Sequence, residues 1–461
     1  MWASLFILLA VVSCLAQKDI LVFEYEACIL ICAVIFAFDL LYIFLSRGKS
    51  LFSLPLIYLL VLGLFHFGRI FPEALGAEAL SYPGWLSSPY LTKAVNTCSV
   101  ALSAYGCGFA LGNLTRPEPG ANMKARPSEP GGSANAATYL FYVSLLVFSM
   151  ATVMMYVGIG RLDLFDQSYF ASYSLRQQND PRLFGGGFTL ALMAMTIALS
   201  CARPRAIGWL LGAYVGVFLP LFLFGYRGHF IVYMISALVI WHRKNPQCAR
   251  RVAVISGCCL LLLAPAIKSA RTESLTLTEA LSATSILDLP MEAGGSLWPL
   301  VATLEQIHAY GEPYWYGRIF WVALEEVIPN LRLAWQPVQE RSVQSPSSWI
   351  SAIEAPWSFA RGGGIGYSAV AEPYLGFGLA GVIVWFASLA YGLLRLDGLT
   401  PGSYKFAVGM CAFSALLWTT RNDLKNLVRP VVWSWTYVQA VRLWVGWHAR
   451  RIKRAETELP R

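Results

Sequence analysis

The chain has 461 residues, 57% of them hydrophobic and only 13% charged, and its mean hydropathy is +0.54. Such a composition excludes a soluble globular domain, because long apolar blocks are stable only where lipid replaces water. The formal net charge of +9 gives little support for nucleic-acid binding, since no soluble basic domain exists to carry it.

In chain order, hydropathy predicts an all-α polytopic membrane protein with about 12 transmembrane helices. They fall at roughly 2–16, 20–45, 51–70, 91–113, 137–158, 186–202, 206–224, 229–242, 252–267, 373–394, 404–420 and 429–447. The first of these, MWASLFILLAVVSC, lacks a positive n-region and reads as a retained helix rather than a signal peptide. Basic residues collect at 47–49, 115–136, 202–205, 242–251, 395–403 and 448–454, which puts those segments and the N-terminus on the cytoplasmic side. The 115–136 stretch is rich in Pro, Gly and Ser without apolar periodicity and reads as a linker. All ten cysteines lie in expected helices or in the cytoplasmic loop at Cys248. That speaks against a disulfide-stapled outer domain, and no Cys/His spacing points to a metal site.

The hydropathy breaks once on a large scale. The chain divides into a membrane bundle over 1–267, a large outer loop over 268–372 and C-terminal membrane helices over 373–461. A structureless loop of that length is unusual. Its stretches 296–310 and 322–335 are amphipathic and aromatic, as expected of helices lying at a membrane surface.

Cations gather at the outer ends of the expected spans. FHFGR (65–69) carries His66 and Arg69, GYRGHF (225–230) carries Arg227 and His229, and KSAR (268–271) ends on Arg271. Arg421, Asp423, Lys425 and Arg429 sit between the last two spans, and Arg361 precedes a glycine-rich run. Each arginine can reach lipid headgroups from a helix end, a role that suits Arg69 and Arg429 best. Arg227 and Arg421 sit in tight turns and suit it less well. A guanidinium fork matches phosphate oxygens, so Arg227, Arg421, Arg361, Arg271 and Arg69 form a candidate pyrophosphate-binding set.

Among the outer carboxylates Glu372 stands apart, because it begins an expected span beside Pro373. A carboxylate there is favoured by the helix dipole, and the alternative role is a general base. Glu292, flanked by glycines 294 and 295, is the second candidate. Gly363, Gly364 and Gly366, with Tyr367 and Tyr374, are expected to line a cleft where the backbone approaches a bulky ligand. Asp39 is the main acid inside a span. One buried acid and no internal repeat give little support to a transporter or flippase.

The run GGGIGYSAVAEPYLGFGLAG, with RND between the last spans and GYRGHF earlier, resembles the Wzy-type O-antigen polymerases, oligosaccharide repeat-unit polymerases of bacterial inner membranes. That resemblance implies a GT-C-like glycosyltransferase whose large loop and active site face the periplasm. Donor and acceptor would be undecaprenyl-pyrophosphate-linked glycans, with no cofactor, no metal and no nucleic acid, and with a chain-length regulator as a further partner. It implies Glu372 as the base, with Glu292, His229 and His66 as competitors, the last two because similar lipid-linked ligases use a histidine. His308, in an amphipathic stretch, is not assigned a place. An O-antigen ligase, with the same donor and topology, is the neighbouring reading.

Overall fold

The computed structural model describes residues 2–48, 50–75, 85–115, 132–159, 181–223, 227–272, 276–325, 327, 345–360 and 363–458. All regular structure among them is helical. The helices are α1 (Trp2–Gln17), α2 (Tyr25–Ser46), α3 (Leu54–Phe67), α4 (Ile70–Ala74), α5 (Leu91–Leu114), α6 (Gly132–Ile159), α7 (Pro181–Cys201), α8 (Pro204–Leu223), α9 (Arg227–Lys244) and α10 (Pro246–Thr272). They continue as α11 (Leu277–Ala283), α12 (Asp288–Ala293), α13 (Trp298–His308), α14 (Arg318–Glu325), α15 (Pro346–Glu354), α16 (Pro356–Ala360), α17 (Ala371–Asp397), α18 (Tyr404–Thr419) and α19 (Lys425–Glu458).

Each of the twelve segments expected to span coincides with one of these helices. Six, α2, α5, α6, α7, α8 and α17, hold a stretch long and apolar enough to cross a membrane; parts of α1, α3 and α18 are apolar but shorter. The chain is thus a helical membrane protein.

Two compact units emerge. The first takes residues 1–116, 256–398 and 416–429, and the second takes 117–255, 399–415 and 430–461. The sequence divisions at 267 and 372 followed hydropathy, whereas these units follow packing, and all three sequence segments contribute to the first.

At the centre of the first unit lies α5, packed against α1, α2 and α17. Its best 18-residue window is 89% buried, although its hydropathy of 1.3 is the lowest of the six. The reason is that a helix enclosed by other helices is selected for close fit rather than for lipid. Thr97 and Ser99 are buried and return their hydroxyls to the carbonyls of Lys93 and Val95, at 2.7 and 3.1 Å. A Cβ on Gly108 would strike the backbone of Ala387, so α5 and α17 meet backbone to backbone. At the far end of α17, Asp397 pairs with Arg47 and accepts the Leu54 N–H at 3.0 Å. This ties α17 to the turn between α2 and α3.

The described residues of the 268–372 segment pack over the opposite end of these helices. A Cβ on Gly68 would strike the carbonyl of Pro290, and one on Gly294 the backbone of Arg69. The end of α3 is thereby seated on α12 and the turn after it. The buried side chains of α13, Leu300, Val301 and Leu304, supply the core of this layer.

The second unit packs α6 against α7, with α9 against α7 and α8. Leu140, Met193, Ile197, Ala407, Cys411, Val438 and Val441 form its core. Lys244 donates to the carbonyls of Leu199, Ser200 and Ala202 at 3.0, 2.8 and 2.6 Å. A cation there satisfies acceptors that the end of α7 leaves open.

Candidate functional site

The start of α17 is fixed by Ser368, whose Oγ accepts the N–H groups of Val370 and Ala371, both at 3.2 Å. Proline is tolerated in a first helical turn, and Pro373 occupies that turn here. Glu372, beside it, is buried, and its Oε2 accepts the Leu424 N–H at 2.6 Å. A carboxylate in that position answers both the helix dipole and a buried amide.

His66, on α3, completes this arrangement. Its Nδ1 faces the Leu62 carbonyl at 3.2 Å and must carry the proton, so Nε2 accepts the Ser368 hydroxyl at 2.8 Å. Both nitrogens are engaged and the ring is fully buried. His66 therefore anchors α3 to the start of α17.

Facing Glu372 is the turn between α18 and α19. The carbonyl of Arg421 accepts the Tyr367 N–H at 2.8 Å. Gly366, at φ +77°, lets the chain approach, since a Cβ there would come within 2.8 Å of that same carbonyl. Asp423, buried, accepts the backbone N–H and hydroxyl of Ser347 at 3.3 and 2.8 Å. Lys425 lies 3.8 Å from the same oxygen and donates to Ser345, the N-cap of α15, at 3.2 Å. This turn thus holds α15, the glycine-rich segment and Glu372 together. The Arg421 side chain is exposed, with no ion pair among the described residues.

Beyond Glu372, α17 is broken. Phe377 (φ −147°, ψ 21°) and Gly378 (φ +62°, ψ −149°) leave the helical region. The Trp315 N–H takes the Leu375 carbonyl at 2.9 Å, and a Cβ on Gly378 would lie 3.4 Å from the Tyr314 hydroxyl. A bonding demand left by the break is met by the loop at 311–317. Non-helical backbone at a span is tolerated where protein or a cavity receives it. A cavity of about 460 Å³ opens beside it, walled by Ile319 and Phe320, by one face of α17 from Pro373 to Ser388, and by Thr419 and Leu424. Glu372 is the one ionisable side chain among its described lining residues.

The remaining expected residues fall elsewhere. Arg69 is buried and its Nε donates to Glu73 at 2.8 Å, so it does not reach for lipid headgroups, and that expectation is corrected. Glu292, on α12, is half-buried, close in the chain to the Gly294 contact with Arg69. Arg227 opens α9 and His229 packs edge-on to Phe188 at 4.9 Å, both in the second unit. Arg271 belongs to the last turn of α10. Arg361 lies outside the described residues.

The expected cleft-lining residues are not among those walling this cavity. At Gly363 and Gly364 the close approach is to Ser358 and Ser351 of the protein itself. Tyr367 is fully buried with its hydroxyl 3.2 Å from Thr303, and burial together with the nearby carboxylates of Glu372 and Asp423 pushes its pKa well up, against the Thr303 bond. Tyr374 is buried and accepts from Gln17 at 3.2 Å, while His308 Nε2 lies 2.9 Å from the same hydroxyl.

His308 thus stands two residues from Glu372 in its contacts, a placement that amphipathicity alone did not reveal. Burial, and then the charge of Lys93, lower its pKa, with Asp19 opposing. A neutral imidazole fits its role as acceptor of the Tyr374 proton. Asp423 and Ser368 were also missed as organising residues. The only signals were the RND triplet and a serine three residues before the helix. Among the described residues no group of three or more His, Cys, Asp and Glu side chains is placed to hold a metal ion.

No curated protein and no solved structure matches the chain. A family model described as O-antigen polysaccharide polymerase Wzy matches residues 1–448, and with nearly the whole length covered the chain belongs to that family.

Proposed function

We propose that the protein polymerises undecaprenyl-pyrophosphate-linked oligosaccharide repeat units at the periplasmic face of the bacterial inner membrane, as a GT-C-like glycosyltransferase. The observation that carries this reading is one turn bearing an exposed Arg421 with no ion pair among the described residues and, through Leu424, a bond to Glu372 in the wall of a cavity beside a broken span.

In the reaction, a hydroxyl of the incoming lipid-linked repeat unit attacks the anomeric carbon of the growing glycan. The bond from that carbon to the pyrophosphate oxygen breaks with inversion, and undecaprenyl pyrophosphate leaves. Glu372 takes the hydroxyl proton. Arg421, with Lys425 beside it, meets the charge gathering on the pyrophosphate, so no metal is required by this scheme. Arg227, Arg271 and Arg361 are further candidates for the same anion, and Glu292 and His229 are the alternative bases. A chain-length regulator would act on the same polymer.

Complementation of a polymerase-null strain tests this, with surface glycan read on a gel and membrane abundance checked for each variant. Wild type should restore a ladder. Arg421→Ala and Glu372→Gln, at normal abundance, should leave a single repeat unit on the core, whereas Glu292→Gln should retain the ladder. A ladder undiminished in both the arginine and the Glu372 variants would overturn the site, and no ladder with wild type would overturn the polymerase reading.

A further inference from the structure

The geometry points to the cavity along α17 as the seat for the first part of the hydrocarbon chain of the lipid-linked substrate. The lipid's identity rests on the polymerase reading, and the groove rests on the geometry alone. Its size lies within the roughly 300–1,000 Å³ of small-ligand pockets, at about 460 Å³. Pro373, Phe377, Ala380, Gly381, Val384 and Ser388 line it at intervals of one, three or four residues. Past the break, Ala380 to Ser388 continue as a stripe about 12 Å long at 1.5 Å per residue.

Polarity changes along the groove. Its one carboxylate, Glu372, stands at the end bonded to the turn that exposes Arg421. The Thr419 hydroxyl stands beside that turn; farther along, the lining is apolar apart from the Ser388 hydroxyl and the Trp385 indole N–H. An amphiphile with an anionic head and an apolar chain matches this order, with its head at the turn and its chain beside α17. The room depends on small residues and on the helix break. Gly381 lies against the carbonyl of Pro373, so a side chain there forces a shift, and Phe377 is turned outward where the helix is interrupted. The walls come from three parts of the chain, at 319–320, 369–388 and 419–424. The groove is open along one side, where Phe320, Phe377 and Val384 are exposed, so a chain lying in it is walled on the protein side and borders lipid on the other.

The full-length protein in nanodiscs would be exposed to a polyprenyl pyrophosphate probe bearing a diazirine in its third isoprene unit, and the photolabel mapped by mass spectrometry. The label should concentrate on 369–388 and be displaced by unlabelled undecaprenyl pyrophosphate but not by a diacylglycerol pyrophosphate. It should fall at least fivefold in Ala380→Trp and in Val384→Trp, but not in Leu30→Trp, a control on an exposed face of α2. A label mapping elsewhere, equal displacement by the diacyl lipid, or undiminished labelling in both groove variants would overturn the inference. If neither groove variant accumulates, the wild-type map and its competition decide. Polymer formation is followed in the same preparation. Label on α17 without polymer would sink the polymerase reading and leave the groove; polymer with label elsewhere would do the reverse.

Discussion

Asp423 receives both the backbone N–H and the hydroxyl of Ser347, so one buried carboxylate fastens the first turn of α15 to the turn between α18 and α19. Removing it strands two donors and the nearby Lys425. Hydrogen bonds to charged groups contribute about 1.5–3 kcal/mol each. Asp423→Ala should therefore lower the melting temperature in detergent by several degrees and reduce polymer length, while Asp423→Asn should recover most of the stability. Equal melting of Asp423→Ala and wild type would show that the fastening is unimportant.

Two arginines separate structure from chemistry. Arg69 is buried on Glu73, whereas Arg421 is exposed, with no ion pair among the described residues. Breaking a buried pair by removing one partner costs about 3–5 kcal/mol. Arg69→Ala should thus cut membrane abundance severely, with the surviving protein retaining its KM. Arg421→Ala should accumulate normally and lose at least tenfold in kcat/KM, with Arg421→Lys recovering part of it. Purified protein assayed with lipid-linked repeat units distinguishes the two patterns.

The break in α17 can be tested at Gly378, whose φ is +62° and whose Cβ position faces Tyr314. A non-glycine residue in that region, which glycine alone adopts readily, costs roughly 1–3 kcal/mol. Gly378→Ala should destabilise by about that amount, and Gly378→Leu by more because it also meets Tyr314. Thermal unfolding of both variants checks the order; a Gly378→Ala more stable than wild type would mean the helix prefers to be continuous.

His308 supplies a pH dependence with a defined sign. Its pKa in the folded protein is depressed, chiefly by burial and then by Lys93, so the unfolded state binds the proton more readily. Stability from this group is complete above about 6.5, the usual histidine value. It declines as pH falls below that value and is lost at the folded pKa. Because His308 is covered only in part and keeps much of its surface in solvent, the effect should be local. Hydrogen-exchange protection at 306–312, taken relative to the intrinsic exchange rate at each pH, should fall below pH 6 in wild type, and His308→Gln should abolish that fall. Unchanged protection across that range in wild type would contradict the sign.

Much of the helical plan was legible, because spans longer than a dozen apolar residues admit little else. Glu372 was legible too, as a carboxylate opening a span beside a proline. The turn at 421–425 could be located but not interpreted, since its partners Ser347 and Tyr367 lie far away in the chain. Nor did hydropathy show the break at Phe377–Gly378. The residues GFG read as span, and only the Trp315 N–H on the Leu375 carbonyl gives the interruption its reason. The glycines at 363, 364 and 366 were recognised as sites of close approach, but what they approach is the protein's own serines and the Arg421 carbonyl. The arginines could not be sorted by sequence, because burial against a neighbour four residues away looks the same as a helix end facing lipid.

The fit of α5 against α17 also has a consequence for how the chain is made. Helix α5 (Leu91–Leu114) leaves the ribosome long before α17 (Ala371–Asp397), whose backbone closes on Gly108. At roughly 5–20 residues per second the interval is on the order of ten to fifty seconds. Throughout it, the least apolar of the six membrane-length helices waits in the bilayer with one face unclosed. Chains truncated ahead of α17 should therefore be preferred substrates of membrane quality-control proteases, and a separately synthesised C-terminal fragment should rescue them by supplying the missing helix in trans.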